Sequence, residues 1–122
     1  MVAKTVLVVE DDPFLRIVAE EMFAAAGFEV ESVHRADQAV DIVAQRSEQT
    51  AFLFTDVQTP GPIDGIDLAR VVKTQWPHVE VLVTSGSPVS KAVLPDGVRF
   101  ISKPWSRKDV LEMARTAAPS SV

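Results

Sequence analysis

Cysteine is absent from the 122 residues, and only two histidines are present. Disulfide staples and thiolate metal sites are therefore excluded, and little imidazole chemistry remains. Basic charge is also scarce: twelve Lys and Arg stand against seventeen Asp and Glu, giving a formal net charge of -5. The basic residues are scattered rather than clustered, which argues against direct nucleic-acid binding. No repeat, low-complexity segment or linker interrupts the chain. The amino terminus, Met1-Val2-Ala3-Lys4-Thr5, reaches acidic residues after one strand's length. It offers neither a signal-type apolar region nor a membrane span, so a cytoplasmic protein with no membrane insertion is expected. A hydrophobic content of 47% over this length fits one domain with a sizeable core. The expectation is a single domain over residues 1–122 with no effector domain.

What the chain does have is an apolar run that ends in acids, Val6-Leu7-Val8-Val9-Glu10-Asp11-Asp12-Pro13. It reads as a buried strand delivering carboxylates to a rim. In a doubly wound parallel sheet, ligands bind outside the carboxyl ends of the strands. Asp12 before Pro13 is also an ordinary helix cap followed by the favoured first helical residue. Both readings hold together if Asp12 caps while Glu10 and Asp11 face the rim.

From there, short β-branched runs alternate with amphipathic stretches in five pairs, the pattern of a parallel sheet wrapped by helices. Strand one spans about Thr5 to Val9. Phe14, Val18, Met22 and Ala25 recur at helical spacing as the inward face of a first helix that Gly27 ends. Phe28 to Val33 partly alternates and is expected at a sheet edge. His34 follows it as a solvated loop residue. A second helix runs from about Ala36 to Gln45, with Ala36, Ala39, Val40 and Val43 inward. Ala51 to Thr55 is almost wholly apolar, marks a central strand and ends at Asp56. Pro60, Gly61, Pro62 and Gly65 are loop punctuation before a third helix bearing Leu68, Val72 and Trp76, which Pro77 ends. Val79 to Thr84 is a further central strand that closes on Thr84, Ser85 and Gly86. The segment from Ser87 to Gly97 is bracketed by prolines and has room for about two helical turns, so its helix is stunted or frayed. Val98 to Ser102 is the fifth strand, followed by Lys103-Pro104. Ser106 caps a last helix through Val110, Leu111, Ala114 and Ala117. Residues 119–122 form a short tail.

Four strand ends thus carry Glu10-Asp11, Asp56, Thr84-Ser85 and Lys103. Carboxylates within about 5 Å repel by roughly 3 kcal/mol per pair at an effective dielectric near 20, so such a cluster calls for a cation. Oxygen ligands without imidazole or thiolate favour Mg²⁺. A lysine and a hydroxyl complete a phosphoryl-binding arrangement. Asp56 is then the candidate nucleophile, because carboxylates form aspartyl phosphates. A plain Lys-carboxylate bridge is the structural alternative.

These residues resemble, over essentially the whole chain, the receiver domain of bacterial two-component response regulators. Glu10 and Asp11 match its acidic pair, Asp56 its phosphoacceptor, Ser85 its Ser/Thr position and Lys103-Pro104 its Lys-Pro, a peptide bond usually cis in the family. The resemblance implies a flavodoxin-like α/β fold with strand order 2-1-3-4-5, helices on both faces and a shortened fourth helix. It implies Mg²⁺ held by Glu10, Asp11, Asp56 and the backbone carbonyl of Gln58. Asp56, Lys103 and Ser85 would handle the phosphoryl group, and Ser85 and Phe100 would act as the switch. The implied partners are a histidine kinase or histidine phosphotransfer protein and a downstream target, with the chain a monomer or weak dimer that relays signals without being a turnover enzyme. Some features depart from the family pattern. The Asp56-to-Gly65 loop is one residue longer than the commonest version, Thr59 replaces an apolar residue, and the Ser85-to-Phe100 interval is about four residues short.

Three other classes share part of this pattern. A haloacid-dehalogenase-type phosphatase needs an acid where Gln58 stands and a nucleophile after the first strand. A flavodoxin-like cofactor binder needs a phosphate-cradling loop where three acids lie. A phosphate-independent receiver serving as a binding module keeps the fold but would not need every chemical group to be present.

Overall fold

The computed structural model describes residues 4–117. The expected tail at residues 119–122 lies outside them, as do Met1 to Ala3. Five strands, β1 (Thr5–Val9), β2 (Glu29–Val33), β3 (Thr50–Asp56), β4 (Glu80–Ser85) and β5 (Arg99–Ser102), form one parallel sheet in the order β2-β1-β3-β4-β5. Helices α1 (Pro13–Ala25), α2 (Ala36–Arg46), α3 (Gly65–Gln75) and α4 (Arg107–Ala117) cover it on both faces. The expected fold class and strand order are those observed.

Strand alternation splits the core into two layers. Val6, Val8, Phe52, Phe54 and Leu82 pack against Ala19, Met22, Phe23, Val110 and Ala114 of α1 and α4. Leu7, Val9, Leu53, Val81 and Val83 face Ala36, Ala39 and Val43 of α2 and Leu68, Ala69 and Val72 of α3. β1 and β3 are buried along their whole length, as central parallel strands must be. β2 is half-exposed at one edge.

Helix α1 corrects the expected packing face. Met22 is buried and Val18 half-buried as expected, but Phe14 is 71% exposed and Ala25 is also exposed, and the other buried residues are Ala19 and Phe23. The inward stripe is therefore rotated by about one residue, roughly 100°. Phe23 decides this rotation, because its ring stands edge-on to Phe28, Phe52 and Phe54 at centroid distances of 6.2, 6.1 and 5.9 Å. The ends of the helix match the sequence. The Asp12 carboxylate accepts from the amides of Phe14 at 2.8 Å and Leu15 at 3.3 Å, Pro13 opens the first turn, and Gly27 leaves it with φ +96°.

The segment expected as a stunted helix is shorter still. Only Lys91–Val93 is helical, as one 3-10 turn, so the last helix is α4. Within α4, Val110 and Ala114 are buried, Leu111 and Ala117 pack against the same layer, and Ser106 Oγ accepts from the Asp109 amide at 3.3 Å. Trp76 lies just past α3, half-buried against the α2–α3 layer.

Truncation of the two α1 phenylalanines separates the observed face from the expected one. Phe23→Ala should cost about 3–5 kcal/mol of unfolding free energy, the range for a fully buried aromatic, and Phe14→Ala about 0.5 kcal/mol or less. Urea unfolding of both variants measures this, and equal losses would contradict the rotated stripe.

Candidate functional site

The carboxyl ends of β1, β3, β4 and β5 meet at one rim, and the side chains there are polar because the strands run out of apolar cover. Lys103, just beyond β5, is the centre of the arrangement. Its ammonium donates to Asp56 Oδ2 at 2.7 Å and to Glu10 Oε1 at 3.0 Å. Both carboxylates are nearly out of water, with Glu10 7% and Asp56 8% exposed. The second Glu10 oxygen accepts from the Asp12 amide at 3.1 Å, and Asp56 Oδ1 from the Gln58 amide at 3.2 Å. Backbone bonds fix the frame. The Lys103 amide donates to the Ser85 carbonyl at 2.9 Å and the Val57 amide to the Thr84 carbonyl at 2.9 Å. The Lys103–Pro104 bond is cis.

Glu10, Asp56 and Lys103 are thus brought together as the sequence reading required. Ser85 is buried beside them, its Oγ accepting from the Ser87 amide at 3.1 Å. Alternation places Ser85 on the sheet face of Val83, which pairs with Phe100; that ring is half-buried against the α2–α3 layer. Asp11 is different, standing exposed at the rim. Among the described residues no three acidic or imidazole side chains converge into a group that could hold a metal ion, so the expected close cluster of three carboxylates is not formed. Two carboxylates share one ammonium, and the donors at the rim are all oxygens. That set suits a hard divalent cation rather than a transition metal. His34 is exposed, and His78 lies on the loop before β4, at the opposite end of the sheet from the rim, within 2.6 Å of the Ser47 carbonyl.

Four residues of the site were given other roles, or none, in the sequence reading. Arg16, one turn into α1, donates to the Glu10 carbonyl at 3.0 Å and ties the helix to the rim. Trp105 stacks edge-on against Phe54 at 5.3 Å beneath the carboxylates. Thr84, read only as one of a group of small hydroxyls, is buried against Asp56. Gly65, read as loop punctuation, is fixed by close approach: a Cβ there would lie 2.0 Å from the Asp56 carbonyl oxygen. The start of α3 is held against that backbone by the Gly65 amide bond to the Val57 carbonyl at 2.8 Å. The Asp12-Pro13 cap pattern is legible in the sequence, whereas contacts across strands have no local signal.

Residues 6–115 match the family model described as the response regulator receiver domain. The chain belongs to that family. As a receiver domain it is 31% identical over 115 residues to the response regulator protein FleR of Pseudomonas aeruginosa, an overlap of 91% of this chain and 24% of the relative. It is 27% identical over 119 residues to the C4-dicarboxylate transport transcriptional regulatory protein DctD of Rhizobium meliloti, covering 94% of this chain and 25% of that one. The receiver domain thus spans about a quarter of the length of either curated relative. Among solved structures, the receiver domain of the hybrid histidine kinase CckA superposes with a TM-score of 0.79 at 28% identity, over 93% of this chain and 97% of that one. A response regulator receiver protein from Sinorhizobium medicae reaches 0.85 at 21% identity, over 94% of each, and speaks for the fold.

The charge pairing has a measurable signature. Burial lowers the Lys103 pKa, but the hydrogen bonds and negative charges of Asp56 and Glu10 outweigh it, and the net direction is upward. A lysine raised on folding adds stability that is fully present below its unfolded value, about 10.4, and is lost as pH rises through the higher folded value. The chain has no tyrosine or cysteine to titrate in the same range. Urea midpoints measured between about pH 9 and 12 should fall more steeply in the wild type than in Lys103→Met. Parallel curves would show that the ammonium gains nothing from its two partners.

Proposed function

We propose that this receiver domain is a phosphorylation-dependent signalling switch. It accepts a phosphoryl group on Asp56 from a histidine kinase or histidine phosphotransfer protein and passes the signal on by binding a downstream target. The observation that supports this most is the Asp56 carboxylate itself, at the end of a central strand, nearly buried and joined to Lys103 at 2.7 Å. In the transfer, an Asp56 oxygen attacks the phosphorus of a phosphohistidine. The P–O bond forms as the P–N bond breaks, and the imidazole leaves with the electron pair. Lys103 supplies positive charge where the phosphoryl oxygens develop negative charge. Mg²⁺ would be held by Glu10, Asp11, Asp56 and the Gln58 backbone carbonyl, for which Asp11 would have to turn in from solvent, and when bound it supplies further charge neutralisation. No turnover of an external substrate is required, and the switch would work in the cytoplasm.

Access for a donor protein fits the surface. Phe14 and Ile17, 71% and 52% exposed, belong to the same helix as Leu15 and Val18, which line a cavity of about 400 Å³ with Lys103, Pro104, Trp105 and Arg107. A donor domain that reaches Asp56 along α1 would cover this apolar patch. The same hydroxyl and ring chemistry serves the output. A phosphoryl group adds roughly two negative charges and three acceptor oxygens, to which Ser85 can turn its hydroxyl. The space it leaves lies on the sheet face shared with Phe100, which can move inward as one of two packed states.

Incubation with a small phosphodonor and Mg²⁺, followed by intact mass, should show one added phosphoryl group on the wild type and none on Asp56→Asn. Labelling of the Asn variant at comparable rate would overturn the assignment. A wild type that takes up nothing would favour a phosphate-independent binding module.

A second measurement addresses the switch. Ser85→Ala keeps Asp56, Lys103 and the proposed metal ligands, so it should still accept phosphate, while the phosphate-dependent change in amide exchange over residues 86 to 100 should largely disappear. An undiminished response would remove the hydroxyl from the coupling.

A further inference from the structure

Thr84 carries a hydroxyl with no work in the receiver chemistry described above. It is 2% exposed, and its Oγ1 has no hydrogen-bond partner in the protein. A buried hydroxyl left unpaired loses its hydration with nothing in return. Such groups are as a rule satisfied, by protein or by ordered water. Shape offers the second possibility. Thr84 pairs with Asp56 across β4 and β3, and alternation sends both side chains to the α1–α4 side of the sheet. There they line a small cavity of about 10 Å³, together with Glu10, Phe54 and Trp105. A volume of about 10–15 Å³ on this measure admits a single water and nothing larger.

We propose that this cavity is a binding site for one structural water, which accepts from Thr84 Oγ1 and donates to the Asp56 or Glu10 carboxylate. Thr84 is thereby a positioning residue for Asp56. Lys103 and the Gln58 amide each take up one direction on the Asp56 carboxylate. The water occupies a third, from below, and limits rotation of the group that the rim chemistry depends on. Val8, Ala19 and Phe54 supply apolar walls, so the water's bonds are directed towards the polar groups.

The site is testable without phosphorylation, so its failure is separate from any failure of the phosphoacceptor reading. In ¹⁵N- and ¹³C-labelled protein, a long-lived water should cross-relax with protons of Thr84, and a high-resolution crystal structure should show it within hydrogen-bond distance of Thr84 Oγ1 and a carboxylate oxygen. Thr84→Val, close to isosteric, should lose the water signal and shift the Asp56 carboxyl ¹³C resonance; Thr84→Ser should restore both. A cavity without water in the wild type, with Thr84 Oγ1 turned to a backbone carbonyl, would overturn the proposal. So would an Asp56 resonance that does not move in Thr84→Val, or that Thr84→Ser fails to restore.

Discussion

One ammonium holds two nearly buried carboxylates that come from the central strand and its neighbour. Glu10 follows β1, Asp56 closes β3, and Lys103 follows β5, so their meeting requires the four adjacent strands β1, β3, β4 and β5 to be in register. The arrangement is held together by opposed costs. Each carboxylate alone would be expensive to bury, and loss of one partner from a buried pair typically costs about 3–5 kcal/mol. With the lysine in place the two acids still outnumber it, so the rim keeps a residual negative charge.

The sheet beneath makes this possible because its polar groups have nowhere else to go. Strands buried on both faces can carry titratable side chains only at their ends, and the parallel arrangement gathers the carboxyl ends on one side. Small backbone details then set the distances. Gly65 lets α3 start against the Asp56 carbonyl, the Ser85 carbonyl holds the Lys103 amide, and Arg16 anchors α1 to the Glu10 carbonyl. On the far side the cover thins, since a single 3-10 turn stands between β4 and β5 where the other connections carry full helices. Phe100 lies half-buried there, and a ring with that much exposure has room to change its packing.

Most of the fold was legible in the chain because it rests on local rules. Strand one, the α2 inward face of Ala36, Ala39 and Val43, the Asp12-Pro13 cap, the Gly27 exit and the prolines around the short fourth segment each follow from periodicity or backbone preference within a few residues. The rotation of α1 did not follow. Phe14, Leu15, Ile17, Val18, Met22 and Phe23 offer two overlapping stripes of similar apolarity, and the choice between them depends on Phe52 and Phe54, nearly thirty or more residues away in sequence.

For the site, the sequence alone determined which chemical groups stand at the strand ends: carboxylates at Glu10, Asp11 and Asp56, hydroxyls at Thr84 and Ser85, and an amine at Lys103. The apolar runs before them fix where each strand must stop. Only the tertiary structure decided which groups meet. It paired Lys103 with Glu10 and Asp56, left Asp11 in solvent, and placed Gly65 where no side chain fits. The reason is physical: a strand's own pattern sets the direction of its side chains, but distances between strands depend on pairing register and on helices packed from elsewhere in the chain.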